Sequence, residues 1–577
     1  MNSNKPPDEY KIIKHQLNKI MLKPEYTEKI LDAVIRTDKI TIKTYMLIYL
    51  FGLVQYEIVK LLSKDELNHF EIPINDDLIY SAQKSIMKSS AGPKPKGETA
   101  DFIRVFTELQ EFIPKFNEIT LDKSGDEKVV KEDGLHLSQV LQYQSTEMIT
   151  AIENNIKLHY LEHYITRYIN SVFGLKSSSN KKELRKELNK VKNDIVKDNK
   201  VLTSDEKYHK WINKNRYFIV PREYEKSYYY DITINPQKYL SHMFYVNEKL
   251  EELGVKLYQV IPIRSDCVLK NIHIDTKTLV ELFIEEDKNK YLKNITDYRD
   301  EIWNKFTTIK RHINKGYTFD YTILTDAFSV SIRYIEPSKL VKQDKKKDNM
   351  RKARKLKNKE EDKIIDEAIK DVEKGKIKTE GESKISKQAE FLYIDEVDYK
   401  LLENCNAVFC DPGKRSLFYM KNKAGDIYNY TNKKRLRFSN RITYQTKIQK
   451  SKDDLGISEI EKELCDYVSK SCTIEKFTKY CSKKLELNKV LMPKYMTKVF
   501  RQYKWYSFIS RKRCEDKMLN EIERTFGKDA VIIMGDASIG VSMRNFISTP
   551  NIHIKKKIKG QNYSIIRRRI QKFMYKL

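Results

Sequence analysis

Acidic residues are what this chain has too few of. Its 81 Asp and Glu stand against 110 Lys and Arg, a formal net charge of +29 at pI about 9.4. A balance so one-sided points to a polyanionic partner, above all nucleic acid. The alternative is a lysine-rich codon bias that raises the charge without a partner. An anionic membrane surface is disfavoured, because no amphipathic basic segment stands out. Cysteine is scarce too. The seven residues at 267, 405, 410, 465, 472, 481 and 514 form no Cys-x-x-Cys pair, and His553 is the only histidine after position 400. Neither a disulfide framework nor a tetrahedral zinc site is supported, and free thiols in a large basic protein suggest a reducing compartment. Long apolar runs are missing as well. Tyr45 to Tyr56, bounded by Lys43 and Glu57, is too short for a membrane span and reads as a buried helix. Asn2, Asn4 and Asp8 stand where a signal peptide would be apolar. The expectation is an intracellular protein of cytoplasm or nucleus, neither secreted nor transmembrane. There is no Gly-x-x-x-x-Gly-Lys-Ser/Thr loop and no Gly-x-Ser-x-Gly elbow, so neither an ATPase nor a serine hydrolase is supported, and no small-molecule substrate is expected.

What is present divides into four stretches. At 577 residues with 40% hydrophobic content, two to four domains are expected. Residues 1–215 read as mostly helical, with helical spacing in Ile30–Val54 and Leu137–Phe173 and a loop at Gly92–Gly97. Lys181–Lys207 reads as an exposed helix, either a solvated face or a contact to RNA. Residues 216–340 are β-rich with helical insertions, and Tyr228–Ile234, Lys256–Ile263, Tyr317–Leu324 and Phe328–Ile335 are strand candidates. Residues 341–390 are a charge-dense linker with too little apolar area to fold alone. Its basic clusters are open to three readings: solvation, nucleic-acid contact or a nuclear localisation signal. Residues 391–577 turn to an α/β pattern, with strands ending at Asp411 and Asp536, further strands over Ser416–Met420 and Ile427–Tyr430, and helices over Leu436–Leu487 and Met496–Thr525. The fold class expected is multidomain α/β and α+β.

The chemistry centres on two acids that follow apolar strands, Asp411 before Pro412-Gly413 and Asp536 after Val531-Ile-Ile-Met-Gly. Two-metal phosphodiester hydrolysis needs carboxylates around Mg²⁺ ions about 4 Å apart. Strand tips fix a carboxylate while leaving it open to substrate, and hard Mg²⁺ prefers oxygen ligands. Against this stands the ordinary use of Asp to open a turn or cap a segment, which fits both positions. Lys414 and Arg415 either hold a phosphate or balance local charge. Arg501-Gln-Tyr-Lys-Trp-Tyr-Ser-Phe-Ile-Ser-Arg-Lys-Arg513 interleaves aromatics with cations, as base-stacking surfaces do. Lys504, Arg511 and Arg513 are taken as facing nucleic acid, and Trp505 and Phe508 as packing inward.

Taken together, Asp411-Pro-Gly-Lys-Arg-Ser-Leu-Phe-Tyr-Met with Tyr430-Thr-Asn, Arg501-Gln-Tyr-Lys-Trp-Tyr, and Gly535-Asp-Ala-Ser-Ile-Gly-Val-Ser-Met-Arg-Asn-Phe-Ile-Ser-Thr-Pro-Asn551 resemble the TnpB-like proteins of eukaryotes and large DNA viruses called Fanzors. Ile261-Pro-Ile-Arg with Ile274-Asp-Thr-Lys-Thr-Leu, and Leu324-Thr-Asp-Ala-Phe-Ser-Val-Ser331, are similar to the same family's β-rich region. The resemblance spans about Tyr217 to Asn551, and residues 1–215 are placed by position only.

The resemblance implies an RNA-guided DNA endonuclease of transposon origin, partnered by guide RNA and target DNA. It implies a helical recognition lobe, a β-barrel-like wedge domain and a RuvC nuclease domain of ribonuclease-H fold using Mg²⁺. Asp411 corresponds to the first RuvC carboxylate. Asp536 follows the second RuvC strand, although in this branch the catalytic Glu is commonly found further on, in an Asp-Glu-x-x-Thr-Ser motif. That motif, a Cys-x-x-Cys zinc ribbon and a final Asp do not occur before Leu577, so the RuvC-like domain is expected to be incomplete, with little cleavage by the chain as given and no zinc site. The alternative expectation is a catalytically inactive RNA- or DNA-binding remnant, or a DNA-binding transposition accessory.

Overall fold

The computed structural model describes residues 10–61, 74–87, 132–197, 201–264, 266–312, 316–345, 349, 405–535, 554, 558 and 564–568. The expected linker falls almost wholly outside these residues, as does Asp536. Along the chain the strands are β1 (Tyr10–Gln16), β2 (Ile272–Asp275), β3 (Thr318–Thr325), β4 (Ser329–Ile335), β5 (Ala407–Asp411), β6 (Ser416–Asn422), β7 (Ile427–Thr431), β8 (Val531–Gly535) and β9 (Ser564–Arg568). The helices are α1 (Pro24–Leu61), α2 (Asp76–Ile86), α3 (Ser138–His159), α4 (Ile165–Val172), α5 (Lys181–Lys197), α6 (Glu206–Ile219), α7 (Tyr228–Ile234), α8 (Leu240–Glu252), α9 (Thr276–Phe283), α10 (Lys288–Lys293), α11 (Ile295–Phe306), α12 (Asn432–Phe438), α13 (Arg441–Asp454), α14 (Ile457–Lys462), α15 (Ile474–Tyr495) and α16 (Lys498–Phe526). The chain separates into two compact units, Met1–Leu356 with Leu455–Arg501, and Lys357–Asp454 with Gln502–Leu577.

The first unit has two cores. One is helical and gathers α1, α3, α8 and part of α15 around Tyr49, Tyr160, Phe244 and Phe477. The apolar run in α1 is explained here: Met46 to Leu53 are all buried, so the helix is surrounded rather than amphipathic. Gly52 permits this, since a Cβ there would stand 3.0 Å from both Phe244 and Ile261. Among the described residues no helix is long and apolar enough to cross a membrane. The other core lies on an antiparallel sheet of order β1-β4-β3-β2, covered by α9, α11 and the first half of α1.

Three local expectations are corrected. Tyr228–Ile234 is helix rather than strand: Ser227 caps it by accepting from Tyr230 N–H, and buried Asp231 accepts from Glu225 N–H and Tyr239 O–H. The cap and the buried acid outweigh the β-propensity of the tyrosines. Lys256–Ile263 is extended but joins no sheet, because side chains satisfy its backbone instead. Asn155 donates to the carbonyls of Gln259 and Val260, Arg167 to that of Lys256, and Tyr258 N–H donates to Asn247. Helix α5 is not uniformly exposed, since Leu188, Val191 and Ile195 are buried. Most of its charges mark the outer face, but Asp194 is buried and accepts from Thr203 and from Ser204 N–H.

The second unit is built on a five-stranded sheet of order β7-β6-β5-β8-β9. Strands β5, β6 and β7 form an antiparallel meander, whereas β8 runs parallel to β5 and β9 parallel to β8. Alternation in β5 sends Val408 and Cys410 to the core and Phe409 and Asp411 to the opposite, exposed face. On the core side Phe418, Met420, Tyr428, Tyr430, Ile532 and Met534 pack against Met518, Leu519, Ile522 and Phe526 of α16.

Candidate functional site

The position of Asp411 follows from the strand order. Beyond its carboxyl end β5 continues to β6 on one side of the sheet, while β9, which follows β8 in the chain, lies on the other. In open α/β sheets such a reversal opens a crevice at the carboxyl ends of the two strands. Asp411 stands there, exposed, opposite Tyr419 of β6. The ends of β5 and β8 touch, since a Cβ on Gly535 would lie 3.4 Å from Pro412 Cδ. Asp536 is the next residue and lies outside the described set.

Pro412-Gly413 makes the turn into β6 so tightly that a Cβ on Gly413 would sit 2.6 Å from the Ser416 backbone oxygen. Backbone cannot yield as a flexible side chain does. Gly413→Ala is expected to destabilise the second unit by about 1–3 kcal/mol, the usual cost of overpacking. Hydrogen exchange at Tyr419–Lys421 should accelerate, while the β1-β4-β3-β2 sheet stays protected.

Around the acid the charge is of one sign. From Lys414 to Lys452 the chain carries twelve Lys and Arg and a single acid, Asp426, so its net charge is 12 − 1 = +11. Lys414 is half-buried and Arg415 exposed, and the Arg415 carbonyl accepts Asn432 N–H at 2.8 Å, fastening the start of α12 to the turn. Lys433, Arg437, Arg441, Lys447 and Lys450 are all exposed, and α13 buries no residue at all. It is held by Tyr444, which lies 3.3 Å from Ser510 Oγ and beside the rings of Tyr503 and Tyr506. A helix charged all round and so lightly seated draws little stability from burial. Sequence reading singled out Lys414 and Arg415 and missed the rest of this tract, although twelve cations against one acid was a readable signal. The outer face of the same sheet exposes Phe409 at 46% and Tyr419 at 40%, next to Lys421.

The basic-aromatic segment divides. Arg501 is buried and donates to the carbonyls of Asp326 (3.2 Å) and Met496 (3.0 Å), so it serves the architecture of the first unit. Lys504, Arg511 and Arg513 are exposed. At about 100° per residue, Lys504 and Arg511 share a face of α16 and Arg513 points across the helix from Lys504. Arg513 lines a groove of about 450 Å³ with Asp516, Lys517, Asn520, Glu521 and Arg524, a mixed-charge lining. The three cations therefore do not form one patch. Trp505 and Phe508 are half-buried, their rings 5.8 Å apart.

Among the described residues no group of three or more His, Cys, Asp or Glu side chains converges to hold a metal. Asp411 suits Mg²⁺ as one hard oxygen ligand, and Mg²⁺ is often held by one or two carboxylates with substrate phosphates and water completing its shell. The described residues do not assemble a two-metal carboxylate set. No curated protein matches the chain. Residues 272–336, which contain β2, β3 and β4 and the helices between them, match a domain of unknown function, DUF8286.

Proposed function

We propose that this chain binds nucleic acid and descends from RNA-guided DNA endonucleases of the TnpB-like class, with Asp411 the first carboxylate of a RuvC-type, ribonuclease-H-like site. The observation that carries the reading is the place of Asp411: an exposed acid at the carboxyl end of the central strand, where the sheet reverses, directly followed by the +11 tract from Lys414 to Lys452. An antiparallel meander followed by two parallel strands agrees with the ribonuclease-H-like fold implied by the sequence resemblance. The antiparallel sheet of the first unit is read as the wedge-like domain that holds guide RNA, and its helical core as the recognition lobe. The tract supplies phosphate neutralisation and the exposed aromatics supply stacking. Asp411 would place one oxygen ligand on Mg²⁺ beside a bound phosphodiester. When bound, that ion would polarise the phosphate and activate water.

The test uses protein purified with its nucleic acid. Copurified RNA with a defined 3′ end is expected, with weak Mg²⁺-dependent DNA cleavage at most, and whatever cleavage the wild type shows should be lost in Asp411→Ala with binding unchanged. Binding without cleavage in either protein would leave the descent and remove the endonuclease activity. Absence of salt-dependent affinity for any nucleic acid would end the proposal.

A further inference from the structure

We infer that a pocket beside β3, inside the matched domain of unknown function, takes a single unstacked nucleotide with its base between aromatic walls. The inference rests on the nucleic-acid reading above and gives it a binding site in the first unit. The cavity encloses about 240 Å³, and its aromatic lining comes from Trp303, Tyr317, Phe319, Tyr321 and Tyr334. That size suits one planar heterocycle rather than a duplex. Phe319 sits at the centre, edge-on to Trp303 (4.8 Å, 82°) and 5.3 Å from Tyr321.

Two features choose among aromatic-cage ligands. Cations already occupy the tyrosine rings: Lys11 Nζ lies 4.2 Å from the centroid of Tyr317, and the Arg299 guanidinium 4.2 Å from that of Tyr321. A methylated ammonium would compete with cations already seated on two of these rings, whereas a base bearing a phosphate would meet Lys310, the exposed cation of the lining. The rim also offers hydrogen-bonding groups to the edge of a base. Asp300 and Lys310 face each other at 3.8 Å with side chains 60% and 63% exposed, and Asn304 and His312 complete the polar lining.

The backbone is strained at this pocket. Tyr321 has φ of +51°, in the left-handed region, at the bulge that shifts β3 between Phe319 and Ile323. A bulky residue rarely adopts that conformation without compensation, and such strain gathers at ligand clamps. Here the Tyr321 hydroxyl donates to Asp300 at 3.1 Å, so the strained residue is held with its ring at the pocket.

Fluorescence anisotropy with a labelled single-stranded oligonucleotide, and with the same strand made abasic, tests the assignment on the full chain. Tyr317→Ala is expected to weaken binding about tenfold, within the range for one stacked base. Exposed Lys310→Gln should weaken it several-fold without any effect on folding. The abasic strand should bind wild type as weakly as the normal strand binds Tyr317→Ala, and 4-thiouridine cross-links should map to residues 300–334. Competition by a nucleoside monophosphate would identify a free nucleotide as the ligand, and its absence a base within a strand; both agree with the pocket. If both variants bind like wild type and cross-links map only to 414–452, the pocket is overturned while the nucleic-acid reading stands. No binding of any strand overturns both.

Discussion

Replacing Lys433, Arg437, Arg441 and Lys447 together by glutamine should lower affinity for nucleic acid about 100-fold or more at 50 mM salt, and should flatten the dependence of log K on log salt by about 3. The four side chains are exposed, on or beside helices that bury little, so their loss costs the fold almost nothing. Lys434 and Arg435 are left intact because they serve the structure. Lys434 pairs with Glu521 at 2.7 Å, and Arg435 is half-buried, its carbonyl accepting from the Cys514 thiol. A matched control replaces Lys181, Lys182, Lys186 and Lys190, which lie on α5 in the other unit. A salt slope that falls equally in both variants would mean that net charge alone drives binding. A slope that falls only in the first assigns the phosphates to the tract after Asp411. Thermal unfolding should be the same in all three proteins.

Geometry as well as charge singles out this tract. It begins three residues after Asp411, forms β6 and β7, and continues into α12 and α13, so its cations lie on the strands, and the helices that follow them, next to the strand that presents the acid. Phosphates drawn there arrive beside the carboxyl end of β5. Cations placed at random on the surface would raise affinity without directing a phosphodiester to a carboxylate.

The strands of both sheets were largely legible in the sequence, because each alternates or runs apolar between Gly, Pro or Asp turns. Tyr317–Leu324, Phe328–Ile335, Ala407–Asp411, Ser416–Met420 and Ile427–Tyr430 fall where the pattern puts them, within a residue or two. What escaped were elements decided by distant partners. β1 is a short polar strand, Tyr-Lys-Ile-Ile-Lys-His-Gln, and becomes a strand only because β4 pairs with it along its whole length. Lys256–Ile263 has strand composition but meets Asn155, Tyr164 and Arg167 instead of another strand. Two acids inside the segments that carry the resemblance serve the architecture. Asp326 accepts from Phe328 N–H, Ser329 N–H and the Ser329 hydroxyl to close the β3–β4 turn, and its carbonyl receives Arg501. Asp275 caps α9 through Thr278 and accepts from Tyr143. Sequence distinguishes an acid that closes a turn from one that faces a substrate only when the burial of each is known, and Asp411 is exposed whereas Asp326 is fully buried.

The same distinction governs Arg264, the last residue of Ile261-Pro-Ile-Arg. Its side chain is 6% exposed and grips Asp38 of α1, itself 3% exposed, through two hydrogen bonds of 2.5 and 2.8 Å, and a third goes to the Val268 carbonyl at 2.6 Å. Lys270 N–H also donates to Asp38. Burial holds the Asp38 carboxyl above its ordinary range, against the opposing pull of Arg264. Arg264→Ala therefore leaves a buried carboxylate without its cation, and should destabilise the first unit by about 3–5 kcal/mol. The pH dependence has a definite sign. With Arg264 gone the folded-state pKa of Asp38 rises further above the unfolded value, so the native state binds the proton more tightly and loses stability as pH climbs from about 4 towards 7. The deficit of Arg264→Ala relative to wild type should accordingly shrink on acidification. Combining Arg264→Met with Asp38→Leu, which removes both charges and retains volume, should recover most of the loss, since apolar replacements of a buried pair are often neutral. Urea unfolding at pH 4.5 and 7 measures both effects. A deficit that is independent of pH, with no recovery in the double variant, would show that Arg264 acts through its packing alone.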